Sequence, residues 1–193
     1  RLGLSTAQVV ALSTDQTANL TTDQINLGLS TAQVAAMETR DLAALNTAQV
    51  ALGLGTAQVA ALTTAQVQQG LTTEQVEALS TGQVAALTTA QVAQGLSTAQ
   101  VAVLETRDLA ALSTAQIAAL STAQVALGLT NNQIAQGLST SQVAALKTAN
   151  IAALTTGQVD AMTTAQLADG LTTAQVGALT TDGIRTLGTD VSG

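Results

Sequence analysis

The side chains most able to do chemistry occur in two copies of one segment, Glu38-Thr39-Arg40-Asp41-Leu42-Ala43-Ala44-Leu45 and its duplicate from Glu105 to Leu112. In each copy two carboxylates stand three residues apart, the spacing that would suit acid–base work or a calcium ion. Calcium, however, takes about six to eight oxygen ligands, and two carboxylates alone make a poor site. The simpler expectation is structural: Asp41 and Asp108 replace a helix-capping glutamine, and Arg40 and Arg107 balance the added charge. Ser and Thr are abundant, yet the chain has no His to activate one, and the single Lys147 lacks an organised partner. Glycines are scattered singly, so no phosphate-cradling loop is expected. No catalytic residue, metal ligand, cofactor or small-molecule substrate is expected, and the chain reads as a non-enzyme.

Composition excludes further classes. Phe, Trp, Tyr, Cys and Pro are absent, and Met37 and Met162 are the only methionines. Without aromatics to fill irregular volumes, the interior must be narrow enough for Ala, Val and Leu to fill. The net charge of −7 is scattered, which favours solubility rather than one partner. Arg1, Arg40, Arg107, Lys147 and Arg185 are too few to track a phosphate backbone, and nothing can stack on bases, so nucleic acid is not an expected partner. Apolar stretches are short and interrupted, which argues against membrane insertion. Nearly half the residues are apolar, which argues against disorder.

What positions these residues is a tandem repeat that fills the chain as one continuous array, 1–193. Taking the residue after each recurring Leu as position 0, twenty-two units begin at residue 5 and run to about 187, with the consensus S/T-T-A-Q-V-A-A-L. Residues 188–193 read as a degenerate terminal remnant, and Arg1-Leu2-Gly3-Leu4 begins in mid-repeat, as an excerpt of a longer array would. Seven units have nine residues, and each carries Gly before its closing Leu: Gly28, Gly53, Gly70, Gly95, Gly128, Gly137 and Gly170. Units beginning at 5, 30, 55 and onward to 180 recur every 25 residues, three units per period.

The variability within a unit separates helix from strand. At about 100° per residue, the constant positions 3, 4, 7 and 1 share one arc, and the variable positions 2 and 5 lie opposite. A strand would mix the two sets. Leu, then Ser/Thr, then Gln three residues later, then Val, is a hydrophobic staple around a capping box. The Gly of the long units is expected to supply a left-handed C-terminal residue. Which of the two hydroxyl residues caps, position 0 or the more constant Thr at position 1, stays open. The fold expected is all-α: a superhelical solenoid of very short capped helices, about three units per turn, with a triangular β-solenoid as the alternative. Helices this short need neighbours to be stable.

The strings LSTAQVAAL, TTAQVAALTT and LTTEQVEAL resemble the octapeptide and nonapeptide repeat tracts of very large bacterial secreted or surface proteins, often described as adhesins or haem-utilisation proteins. That resemblance implies an extracellular or cell-surface location and a role as scaffold, stalk or spacer. Haem finds no ligand in a chain without His, Cys or Tyr and with two isolated Met. The alternatives are a repetitive Thr-rich surface for ice or glycan, and a filament or sheath subunit. Expected partners are adjacent repeats of a longer chain or further copies joined end to end. The duplicated segments lie eight units apart, which does not divide by three, so the sides of the coil are expected to be interchangeable.

Overall fold

The computed structural model describes residues 3–187, and the remnant assigned to 188–193 lies outside the described residues. Within them every repeat unit forms one short helical segment of four to seven residues, there is no strand, and the β-solenoid is not supported. Units stack three apart: Thr31–Ala36 packs on Thr56–Ala61, Thr81–Ala85 on Thr106–Ala111, and Thr114–Ala119 on Thr140–Ala145. The coil therefore has three sides. Units beginning at 5, 13 and 21 start the first, second and third sides, and each later unit lies on the side of the unit three before it.

Each helix is set by its first four residues. Position 0 is extended, as at Ser80 with φ −69° and ψ 155°, and its hydroxyl accepts the N–H of the Gln at position 3. That Gln returns the bond by accepting the position 0 N–H, at 2.8 Å between Ser80 N and Gln83 Oε1. Position 0 is thus the cap, and Thr at position 1 begins the helix. From Ile25 to Met162 the residue at position 4 and the closing Leu or Met are buried in one continuous core, which opens toward the C-terminal end, where Val176 and Ile184 are 46% and 50% exposed; position 2 faces water throughout. Thr at position 1, expected on the buried arc, is exposed or half-buried because it sits where the chain turns the corner.

The Gln does more than cap. Gln91 is only 2% exposed, and its Oε1 accepts from Thr88 N at 2.6 Å. Its Nε2 donates to Val59 O at 2.9 Å and Leu62 O at 2.7 Å, in the preceding turn. The same pair of acceptors, position 4 and the closing residue of the unit four before, serves Gln58, Gln66, Gln83, Gln100, Gln124, Gln158 and Gln166. A buried amide has one acceptor oxygen and two N–H donors, and here all three are used. Each such glutamine latches its turn to the one before it, pairing a closing-residue carbonyl that has no backbone donor of its own and sharing the position 4 carbonyl beside it.

The nine-residue units overturn one expectation. Gly3 is the only described residue with positive φ, so none of the seven glycines is left-handed. The extra residue is absorbed as a π-turn instead, covering Gln24–Gly28, Gln49–Gly53, Gln66–Gly70, Gln91–Gly95, Gln124–Gly128, Gln133–Gly137 and Gln166–Gly170. In an eight-residue unit the closing Leu62 N–H bonds Val59 O, three residues back; in a nine-residue unit Leu96 N–H bonds Gln91 O, five back. Both deliver the closing Leu to the core. Gly is required by proximity: a Cβ at Gly95 would lie 3.1 Å from Val67 Cβ in the turn below, and one at Gly128 3.1 Å from Val101 Cβ. Real Cβ contacts that close force the packed neighbour to move. The coil consequently counts units rather than residues. Stacked units beginning at Ser97 and Ser121 are 24 residues apart, and those at Ser113 and Ser139 are 26 apart, yet both pairs pack.

These contacts set two expected outcomes. Val84→Asp places an unpaired charge at a site with 0% exposure, and should cost more than about 4 kcal/mol. Gly82→Asp meets only Thr56 Cγ2 at 3.8 Å, and should shift stability by less than about 0.5 kcal/mol; chemical denaturation of both variants checks this. Gln91→Glu keeps the shape but turns two donors into a carboxylate facing the carbonyls of Val59 and Leu62. The loss should exceed about 3 kcal/mol at neutral pH. The buried carboxyl's pKa is raised in the folded state, so the loss should shrink as pH falls and grow as pH rises through that value. A loss independent of pH would contradict the donor role of this side chain.

Candidate functional site

The duplicated charged segments lie on different sides of the coil, and the structure does not bring them together. In each, the arginine folds over both carboxylates: Arg40 Nε is 2.8 Å from Glu38 Oε2 and 3.8 Å from Asp41 Oδ1, and Arg107 repeats this at 2.7 and 3.7 Å. The guanidinium occupies the place a bound cation would need. Charge balance by arginine thus holds, but the expected capping does not. Glu38 and Glu105 make no side-chain cap bond, and neither helix has a capping box. Asp is one methylene shorter than Gln and does not reach back to the cap N–H.

The substitution also removes the donor to the turn below. Asp108 Oδ1 instead accepts the Thr81 hydroxyl at 2.6 Å, while buried Asp41 Oδ1 has no hydrogen-bond partner. Burial pushes the Asp41 carboxyl above its ordinary value, opposed by Arg40 and reinforced by Glu38. Asn150 is the intermediate case: its Nδ2 still donates to Leu120 O at 3.1 Å, but its Oδ1 is unpaired. The signal was in the sequence. The three units with a short acid or amide at position 3 are those whose position 0 is Glu38, Glu105 or Lys147, because the cap is released once its glutamine is gone.

A second feature escapes any octapeptide consensus. In the eight-residue units position 6 is nearly always a half-buried Ala. The π-turn swings the same position outward, and all seven nine-residue units fill it with a larger exposed residue: Leu27, Leu52, Gln69, Gln94, Leu127, Gln136 and Asp169. These are distributed by side. The second side carries Gln69, Gln94 and Asp169, and the first carries Gln136. The third carries Leu27, Leu52 and Leu127, which are 70%, 71% and 76% exposed. Three open grooves of about 450, 460 and 550 Å³ lie along one edge, where the third side passes into the first; Gly28, Leu27 and Val103 stand on their rims. The sides are therefore not interchangeable, contrary to the expectation from the duplicated segments.

A family model described as the ALTTAQ repeat matches residues 34–69, 101–139 and 136–169, together more than half of the chain. The chain belongs to the ALTTAQ repeat family. The name spells the corner of the coil: Ala86-Leu87-Thr88-Thr89-Ala90-Gln91 runs from a closing Leu through the cap to the latch. No curated protein and no solved structure matches this ALTTAQ protein. No described helix is long and apolar enough to cross a membrane, and no group of three or more acidic side chains able to hold a metal ion occurs among the described residues.

Asp41 makes the stability of the coil depend on pH. Its pKa is raised in the folded state, so the folded chain holds the proton more tightly than the unfolded one. Stability should then fall as pH rises from about 4 through the folded value. Asp41→Asn restores a donor, as Asn150 demonstrates, and should raise the melting temperature at neutral pH while flattening this dependence. Thermal melts of both proteins from pH 4 to pH 7 check it.

Proposed function

We propose that this ALTTAQ array is a non-catalytic spacer, holding apart modules encoded elsewhere in a bacterial surface or secreted protein. The observation that carries the reading is the glutamine latch, which ties turn after turn to the one before it, in most units through the position 4 carbonyl and the closing carbonyl. A stack joined in this way has nearest-neighbour energetics, so length adds turn by turn without a new core having to be found. The resemblance of its TTAQVAAL strings to the repeat tracts of large bacterial surface proteins supports the location. The threonine pairs give less support to an ice- or glycan-binding surface, because the position 0 hydroxyl is already engaged by the Gln N–H of its own unit.

Spacing is measurable. The chain contains no cysteine, so Ala32→Cys and Ala174→Cys place two spin labels at exposed positions without background. Removing residues 80–104 deletes three units and one turn, and should shorten the label distance by about 8–10 Å, the separation of packed helices. An unchanged distance, or a broad distribution in both proteins, would rule out a spacer of fixed rise.

A further inference from the structure

We propose that the third side is a pairing surface for a second copy of this chain, which docks antiparallel along it. The inference is independent of the spacer reading and concerns lateral rather than end-to-end contact. The first observation is chemical asymmetry at one structural position. Position 6 on the third side reads Leu27, Leu52, Ala78, Val103, Leu127, Ala153 and Ala178 from turn to turn, apolar throughout and with four large side chains, whereas the second side carries Asn19, Gln69, Gln94 and Asp169 and the first carries Gln136 among alanines. The second is that open grooves follow the edge beside this stripe, so apolar side chains and the spaces to receive them are adjacent on one molecule.

The occupant follows from period and charge. The stripe advances by one coil turn per residue, an axial spacing that another copy of the same coil reproduces along its whole length. Two chains of net charge −7 repel, so a stable register must bring opposite charges together. On this side the charged residues are Asp23, Glu74, Glu77 and Lys147. A two-fold axis between the turns of Val103 and Leu127 sets Val103 against the partner copy's Leu127 twice over. The same axis sets Lys147 against the partner copy's Glu74 and Glu77, and Leu52 against its small Gly177 and Ala178. An axis through the turn of Ala78 would instead oppose Glu74 and Glu77 to themselves. Turns two to seven of one side offer roughly 600–700 Å² per partner, taking helix widths of about 10–12 Å and turn spacings of about 8–10 Å. This falls modestly below the roughly 800 Å² per partner of a standard interface.

Sedimentation equilibrium of the whole chain tests the proposal, with circular dichroism to verify that each variant stays folded. The wild-type chain should dimerise reversibly. Leu127→Asp, at a position 76% exposed, should raise the dissociation constant at least about tenfold. Lys147→Glu should do the same, and adding Glu74→Lys and Glu77→Lys to it should restore pairing. In a mixture of Val103→Cys and Leu127→Cys chains, oxidation should give the mixed disulfide dimer in preference to either homodimer. A wild-type chain that stays monomeric at its highest soluble concentration would overturn the proposal. So would a dimer unaffected by Leu127→Asp, or cross-linking equally efficient from Ala61→Cys on the first side.

Discussion

Everything in this coil depends on a buried primary amide with all three of its hydrogen-bonding groups engaged. A six-residue helix cannot hold itself together in water, and its ends leave backbone groups that a thin core has no water to satisfy. Glutamine at position 3 meets both demands: its oxygen closes the start of its own helix, and its nitrogen covers the closing carbonyl left open where the previous turn bends, together with the position 4 carbonyl beside it. Glutamate has the reach without the donors, and asparagine has the donors without the reach. That leaves one residue type, and it explains why a chain so permissive at positions 2 and 5 is so strict at position 3.

The exceptions to this rule are informative because they fail in graded ways. Asn150 keeps one outward bond and loses the inward one; Asp41 loses both and is left with an unpaired oxygen beneath an arginine. Thr17, the one position 4 side chain that is not a branched hydrocarbon, is fully buried with its hydroxyl unpaired. An array of nearly equivalent turns spreads these defects among many sound latches, which a single compact core of similar length could not do as readily.

Much of this was legible in the sequence. The arc of constant positions identified helices, the S/T-x-x-Q spacing identified a capping box without deciding which hydroxyl capped, and the 25-residue recurrence identified three units per turn. What remained hidden had a common cause. Reasoning at 100° per residue assumes an α-helix, and the seven nonapeptides are not α-helical where it matters. A π-turn swings position 6, a half-buried Ala in most octapeptides, out into solvent, so Leu27, Leu52 and Leu127 are the most exposed leucines among the described residues. The same assumption misassigned their glycines to a left-handed cap, when the constraint is the side chain one turn below. The outward reach of glutamine was also unreadable, since its acceptors lie about thirty residues away and are backbone atoms that no sequence displays.

The latches all point one way. From Gln33 onward each glutamine at position 3 donates to carbonyls 28 to 33 residues earlier in the chain, and none of these bonds reaches forward. Acceptors are therefore always synthesised before their donors. As a nascent chain leaves the ribosome, each new unit meets a finished surface that presents the carbonyls it needs, and closing one turn requires nothing that is still untranslated. Contacts this local are the kind that form quickly. The array is built so that it can wind itself up from its N-terminus at the pace of translation, never exposing more than about one turn of unpaired backbone and apolar side chains, however long the tract becomes.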